Sequence, residues 1–193
     1  MRAGENPQGI FYLSKGFLRL YSTSMGGEEL TLFIFKPGDI FPITWVFNQT
    51  MNNYHVEGIS ASELRQAPKA KFLDFIKENP DVFLELTKRM LVRLTGLLQR
   101  MEQLVFGNAY NKVASILLIC AERFGRKEGK DLIVQVPLTH NSIASLVGIS
   151  RETASIQINK LEKKGLLAHR GRLLVVKNAR LLRRESLLES EKV

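Results

Sequence analysis

The sequence predicts an α+β chain in three parts: an N-terminal β-roll of jelly-roll type, a long helix, and a C-terminal winged helix-turn-helix. Three observations predict it. Short β-rich runs broken by Gly and Pro turns fill about residues 9–72. An apolar seven-residue spacing runs through residues 80–106. Beyond it, two short helical patterns meet at Gly148 and lead into a hairpin pattern.

The roll is read from its turns. Ile10-Phe11-Tyr12-Leu13, then Ser14-Lys15-Gly16, then Phe17-Leu18-Arg19-Leu20-Tyr21 is a hairpin signal. Met25-Gly26-Gly27-Glu28 is a second turn, leading into Leu30-Thr31-Leu32-Phe33-Ile34-Phe35. Lys36-Pro37-Gly38-Asp39 breaks that run. Tyr54-His55-Val56 and Glu63-Leu64-Arg65 read as later strands. Trp45, Phe41, Phe47 and Tyr54 either fill the interior of the roll or line an apolar ligand pocket, and filling is the favoured role.

For the long helix, Pro80 suits a first helical position and Asn79 a cap. Phe83, Met90, Leu97 and Leu104 recur every seven residues, with Thr87, Leu94 and Met101 between them. That pattern reads as a dimer seam formed by Phe83, Met90, Leu94, Leu97, Met101 and Leu104. Val82, Leu86, Leu91 and Leu98 lie off this seam and would pack the helix on its own domain. The organisation expected is therefore a roll over 1–79, a dimerisation helix over 80–106, a winged domain over 107–178 and a charged amphipathic tail over 179–193, either a solvated helix or partly disordered.

The winged segment starts with an amphipathic helix from Ala109 to Phe124, apolar at positions 113, 116, 117 and 120. Gly125 to Lys130 reads as a solvated loop. Thr139 caps a helix that ends at Gly148, and Ser150 caps a second helix that stops near Gly165. On this second helix Ala154, Ile158 and Leu161 should pack inward. Arg151, Glu152, Ser155, Ile156 and Asn159 share the other side, mostly near the N-terminal end that a recognition helix inserts into a major groove. Arg donates two hydrogen bonds to guanine and Glu accepts from cytosine N4. Ile156 reaches a thymine methyl or finishes the core. Base readout is assigned to Arg151, Glu152, Ser155 and Ile156. Phosphate contact is assigned to Thr139, His140, Ser150, Lys160, Lys163, Arg170 and Arg172, the last two at the tip of the wing hairpin.

Charge agrees with a polyanion partner. Residues 1–105 carry 12 Lys/Arg and 11 Asp/Glu, whereas residues 106–193 carry 16 and 8, so nearly all of the net +9 lies in the second half. No run approaches the ~18 apolar residues of a membrane span. The single cysteine, Cys120, excludes a disulfide framework and a thiolate cluster, and it reads as core. His55, His140 and His169 have no metal-ligand spacing. Asp39 and Glu57 are isolated carboxylates with no acid–base partner, so no enzyme is expected. A cytoplasmic protein fits these features. The rival reading is a small-ligand module whose winged domain contacts protein instead of DNA.

The stretch Leu138-Thr-His-Asn-Ser-Ile-Ala-Ser-Leu-Val-Gly-Ile-Ser-Arg-Glu-Thr-Ala-Ser, continuing to Lys160-Leu-Glu-Lys-Lys-Gly-Leu-Leu, resembles the Crp/Fnr family of bacterial transcription regulators. The resemblance covers almost the whole chain, and Ser150-Arg151-Glu152-Thr153 is its most specific run. It implies a homodimer on a palindromic site, with Arg151 and Glu152 on bases and Thr153 on phosphate. Ile156 stands where the family typically has Arg. Pro37-Gly38-Asp39-Ile40-Phe41 resembles the turn leading into the family's nucleotide pocket. The Gly-Glu and Arg-Ser pairs of cyclic-nucleotide binders are replaced by Pro42-Ile43 and Asn52-Asn53, and the hydroxyl pair on the dimer helix by Leu97-Leu98. Burying a cyclic phosphate without a bidentate cation is costly, so cyclic AMP is not expected. The first strands are short beside the family pattern, as if the chain started late or the roll were trimmed. The partners expected are duplex DNA, a second copy of the chain, RNA polymerase and a small effector of unknown identity; constitutive binding without an effector is equally open.

Overall fold

The computed structural model describes residues 1–48 and 50–188. The chain divides into two compact units, Met1–Ser22 with Leu32–Met101, and Thr23–Thr31 with the chain from Glu102 onward.

The predicted strands of residues 1–67 form two sheets. The elements are β1 (Ile10–Lys15), β2 (Leu18–Thr23), β3 (Glu29–Phe35), β4 (Ile40–Phe41), β5 (His55–Gly58) and β6 (Glu63–Ala67), ordered β4-β1-β6 and β3-β2-β5. Gly16 turns β1 into β2 at φ +83°, and a Cβ there would stand 2.2 Å from the Ala61 carbonyl oxygen. Only glycine meets both demands. Leu13, Leu18, Phe35 and Phe41 make the interior, with Phe35 and Phe41 stacked at 4.8 Å between ring centroids.

Two helices in the first unit carry no signal in the sequence reading: α1 (Ile43–Asn48) and α2 (Lys69–Glu78). Each was hidden by shortness or by the strand-like context around it. They pack Val46, Phe72 and Ile76 with Ile10 of β1 and Leu86 of α3 (Pro80–Phe106) into a second core cluster. The aromatic group is corrected accordingly. Phe41 is buried and Trp45 is half-buried under Lys69, but Phe47 and Tyr54 are exposed and fill nothing. Asn79 is corrected too. It ends α2, and its side-chain amide donates back to the Phe75 carbonyl at 2.7 Å instead of capping α3.

Three arginines tie α3 to the strand turns of its own unit. Arg93 pairs with buried Asp39, whose other oxygen accepts from the Lys36 amide at 2.8 Å. Arg89 donates to the Gly38 carbonyl at 3.4 Å and Arg100 to the Leu32 carbonyl at 2.7 Å. The Gly38–Asp39 turn singled out in the sequence is thus a fastening point for the long helix.

The second unit is built on α4 (Ala109–Phe124), whose N-cap Asn108 accepts from the Asn111 amide at 3.0 Å. The expected loop after it is a hairpin, β7 (Gly125–Glu128) and β8 (Asp131–Val134). Its polar sequence is tolerated because β8 supplies the buried Ile133 and Val134 while the turn stays in water. Then follow α5 (His140–Val147), α6 (Arg151–Lys163), β9 (Leu167–Arg170), β10 (Leu173–Val176) and α7 (Ala179–Glu185), with a sheet ordered β7-β8-β10-β9. Val113, Leu117, Leu118, Ile143, Ile158, Leu161, Leu174 and Leu182 are fully buried. Thr31 belongs to this unit, donating from its amide to the Ser145 hydroxyl of α5 at 3.1 Å.

The tail is not wholly solvated. Leu182 of α7 is fully buried, Arg183 pairs with Glu122 of α4, and Leu187 donates from its amide to Ser115 at 2.9 Å. The amphipathic pattern expected from Arg180 onward is a helix, but its buried Leu182 docks it on the unit instead of leaving it solvated. Residues 189–193 lie outside the described residues.

Candidate nucleic-acid interface

Local chemistry fixes the two helices that matter. Thr139 and Ser142 form a reciprocal capping box, the Thr139 hydroxyl accepting from the Ser142 amide at 3.0 Å. Gly148 ends α5 in the left-handed region at φ +71°, which a β-carbon disfavours. Ser150 caps α6 by accepting from the Thr153 amide at 3.1 Å, and its hydroxyl lies 3.0 Å from that of Thr153. The predicted phosphate contacts Thr139, Ser150 and Thr153 therefore already hold helix starts.

On α6 the ridge Ala154, Ile158 and Leu161 has no exposed surface. Against that platform Arg151, Glu152, Ile156, Asn159, Lys160 and Lys163 are exposed, and Ser155 is half-buried. Ile156 is 54% exposed, so it does not finish the core. His140 at the start of α5 reaches across to α6, its Nδ1 lying 2.6 Å from the Ser155 hydroxyl.

The wing is a two-stranded ladder in which Leu173 pairs with Arg170 and Val176 with Leu167, turned at Gly171. Arg172 is exposed at the turn. Arg170 is engaged within the protein: its guanidinium lies 2.5 Å from Glu128 of β7, which Arg126 also contacts at 2.5 Å. The Arg170 contact, before any other cause, holds the Glu128 carboxyl below the usual carboxylate range. Phosphate must compete with that carboxylate for Arg170. His169 is likewise occupied, 3.1 Å from Glu162.

Another polar cluster gave no sequence signal because its members lie far apart in the chain. Glu185 of α7 accepts from the Tyr110 hydroxyl at 2.8 Å and from Lys164 at 2.9 Å. The Lys164 bond, then the Tyr110 bond, lowers the Glu185 carboxyl; the Tyr110 bond, then the Glu185 bond, raises the Lys164 amine. Burial raises the Tyr110 phenol. Lys164 is thus committed at the end of α6.

The long helix presents a different face. Leu84, Leu91, Leu98 and Val105 repeat every seven residues and range from 52% (Leu84) to 72% (Val105) exposed. Leu94 and Met101 lie between them and are also exposed. Of the predicted seam, Phe83 and Leu97 remain exposed, while Met90 and Leu104 turn half inward. Leu86 and Val82 do pack inward as expected, but Leu91 and Leu98 do not. The exposed apolar stripe takes in Leu84, Leu91, Leu98 and Val105 beside Phe83, Leu94, Leu97 and Met101 of the predicted seam, because Leu86, Arg93 and Arg100 fix which side meets the strands. The seven-residue spacing of Arg93 and Arg100 was the available sign of that inner side.

In the roll, the positions matched to the nucleotide pocket do not fit a cyclic phosphate. Pro42 and Ile43 carry no charge, Asn53 is exposed, and the buried Asn52 amide donates to the Arg2 and Tyr54 carbonyls at 2.9 and 2.7 Å. Asn52 braces its own loop and offers no cation. Among the described residues there is no group of three metal-ligating side chains, and no helix is long and apolar enough to cross a membrane.

Comparison with known proteins agrees with this architecture. The cyclic nucleotide-binding domain family matches residues 1–79 and the Crp-like helix-turn-helix domain family matches residues 111–185. The chain belongs to the Crp/Fnr family of transcriptional regulators. It is 27% identical over 184 residues to the cAMP-activated global transcriptional regulator CRP of Pasteurella multocida, covering 93% of this chain and 86% of that protein. It is 25% identical over 183 residues to the global nitrogen regulator of a Nostoc species, covering 93% and 82%. The fold matches that of FixK2 from Bradyrhizobium japonicum with a TM-score of 0.80 at 20% identity, over 98% of this chain and 96% of that one. This regulator therefore carries a Crp-type DNA-binding helix-turn-helix beside a cyclic-nucleotide-domain roll.

Proposed function

We propose that this regulator binds a palindromic duplex as a homodimer, with α6 in the major groove. The observation that carries the reading is the outward surface of α6: Arg151, Glu152, Ser155 and Ile156 grouped at the N-terminal end of a helix whose opposite ridge is fully buried. Arg151 and Glu152 read base edges, and Ile156 meets a thymine methyl. Lys160, Lys163 and Arg172 neutralise phosphate, with His140, Thr139, Ser150 and Thr153 near the backbone. Arg170 joins them only by leaving Glu128. The second copy docks along Leu84, Leu91, Leu94, Leu98, Met101 and Val105. RNA polymerase is the further partner of such a complex at a promoter, and a cytoplasmic site of action follows.

An effector other than cyclic AMP would act through the roll. The Asp39–Arg93 and Leu32–Arg100 contacts couple the strand turns to α3, so a ligand that prefers one arrangement of those turns shifts the dimer helix.

The test is selection from a random duplex pool at two salt concentrations. A two-fold sequence with half-sites about 34 Å apart is expected, with affinity falling steeply as salt rises. Salt-sensitive binding without sequence enrichment, with and without cell extract as a source of effector, overturns the reading.

A further inference from the structure

The contact between His140 and Ser155 joins the two helices of the reading head at its working surface. Imidazole is the side chain whose charge changes between pH 5 and 8. A serine hydroxyl can give a hydrogen or accept one, and it rotates to suit its neighbour. At 2.6 Å these two groups share one hydrogen, so the state of the ring dictates which way the hydroxyl faces.

We propose that His140 sets the hydrogen-bond polarity of Ser155 and makes the base preference of α6 depend on protonation of the imidazole. The proposal rests on the DNA reading above. With the ring neutral and Nε2–H given to a phosphate, Nδ1 accepts the Ser155 hydrogen. The serine then shows lone pairs to the groove and selects a base donor, cytosine N4 or adenine N6. With the ring charged, both nitrogens donate. Nδ1–H then binds the Ser155 oxygen, and the hydroxyl hydrogen turns outward to an acceptor, guanine O6 or N7 or thymine O4. One proton on His140 exchanges a donor for an acceptor at a single base contact.

Several charged groups on the elements around the ring are engaged with other partners. Ser155 lies one turn after Arg151 on α6, and Arg151 and Glu152 are exposed. Further along α6, Glu162 is held by His169. On α4, Lys112 donates to the Leu104 carbonyl, Glu122 pairs with Arg183, and Arg123 lies over Phe124. Glu28 and Glu29 stand on the hairpin whose Thr31 bonds Ser145 of α5.

The experiment measures affinity of the full-length protein for the selected duplex and for its three single-base-pair variants at each half-site position, at pH 6 and pH 8.5. At one position the preference should move from a donor base to an acceptor base as pH falls, by about three- to tenfold. His140→Gln, which cannot take a proton, should bind with a preference that no longer moves with pH. Ser155→Ala should flatten the preference at that position at both pH values. If the wild-type protein selects a site with base preferences identical at both pH values, this inference fails and the DNA reading stands. If no sequence is selected at either pH, the DNA reading itself fails.

Discussion

The helices α3 and α6 are both amphipathic, and they point their apolar sides in opposite directions. On α6 the aliphatic ridge Ala154, Ile158 and Leu161 is fully buried, and the outward side is mostly polar and charged. On α3 the outward stripe is leucine-rich, while Arg93 and Arg100 turn inward to a carboxylate and a carbonyl. A surface left in water advertises what it is built to meet. Arginine, lysine and hydroxyl groups on α6 suit phosphates and base edges. A heptad of leucine on α3 suits another helix with the same stripe. The inward arginines are costly to bury alone, so they hold α3 in one rotational setting. That setting decides which leucines remain outside.

Four measurements would break or sharpen this contrast. The largest effect is expected from Leu91→Glu combined with Leu98→Glu. Facing carboxylates in an apolar seam should weaken the dimer by about 3 kcal/mol or more, roughly a hundredfold in dissociation constant. Sedimentation should show monomer, and the midpoint of unfolding should lose its dependence on protein concentration. A persistent dimer would assign the stripe to something else. Next is Asp39→Asn, which strands the Arg93 guanidinium. A loss of about 1–3 kcal/mol in denaturant unfolding is expected, and an unchanged midpoint would show that the inward arginines do not fix α3.

On the other helix, Arg151→Ala should cost about 1–3 kcal/mol at one base pair and relax specificity there. Lys163→Ala is its control, weakening all sequences alike and lowering the salt slope by about one. The two variants behaving the same way would end the division of α6 into reading and anchoring residues. The smallest effect concerns Glu185. Its carboxyl is lowered by Lys164 and Tyr110, so its stabilisation is present above the ordinary carboxylate value and lost as pH falls through the lowered one. The Lys164 amine is raised, so its share is present below the ordinary amine value and lost as pH rises through the raised one. Lys164 is exposed and Glu185 half-buried, so water screens the pair and Glu185→Gln should lower stability only slightly near neutral pH, with thermal unfolding less sensitive to acid and to alkali. An unaltered pH profile would place the docking of α7 on Leu182 alone.

Much of the winged unit was legible because its signals are local. Thr139, Gly148, Ser150 and Gly165 act within one helical turn of where they stand, and capping and left-handed turns need no distant partner. The strands around Gly16 and Pro37-Gly38 were legible for the same reason. Long-range pairs were not. Nothing in the chain places Glu185 beside Tyr110, Glu128 beside Arg170, or His140 beside Ser155, since each contact joins residues brought together only by packing.

The sequence by itself determined that an exposed, mostly polar face would lie near the start of α6 and that α3 would carry an apolar seven-residue repeat. It did not determine which repeat. Phe83, Met90, Leu97 and Leu104 and the series Leu84, Leu91, Leu98 and Val105 are both apolar and differ by one position. Tertiary structure set which members of each lie outside, turning Met90 and Leu104 half inward and leaving Phe83 and Leu97 exposed with Leu84, Leu91, Leu98 and Val105, because a helix has only one side that can bury Leu86 while bringing Arg93 to Asp39 and Arg100 to the Leu32 carbonyl. Turning α3 the other way would leave two guanidinium groups and a carboxylate without partners, a cost that apolar spacing does not encode.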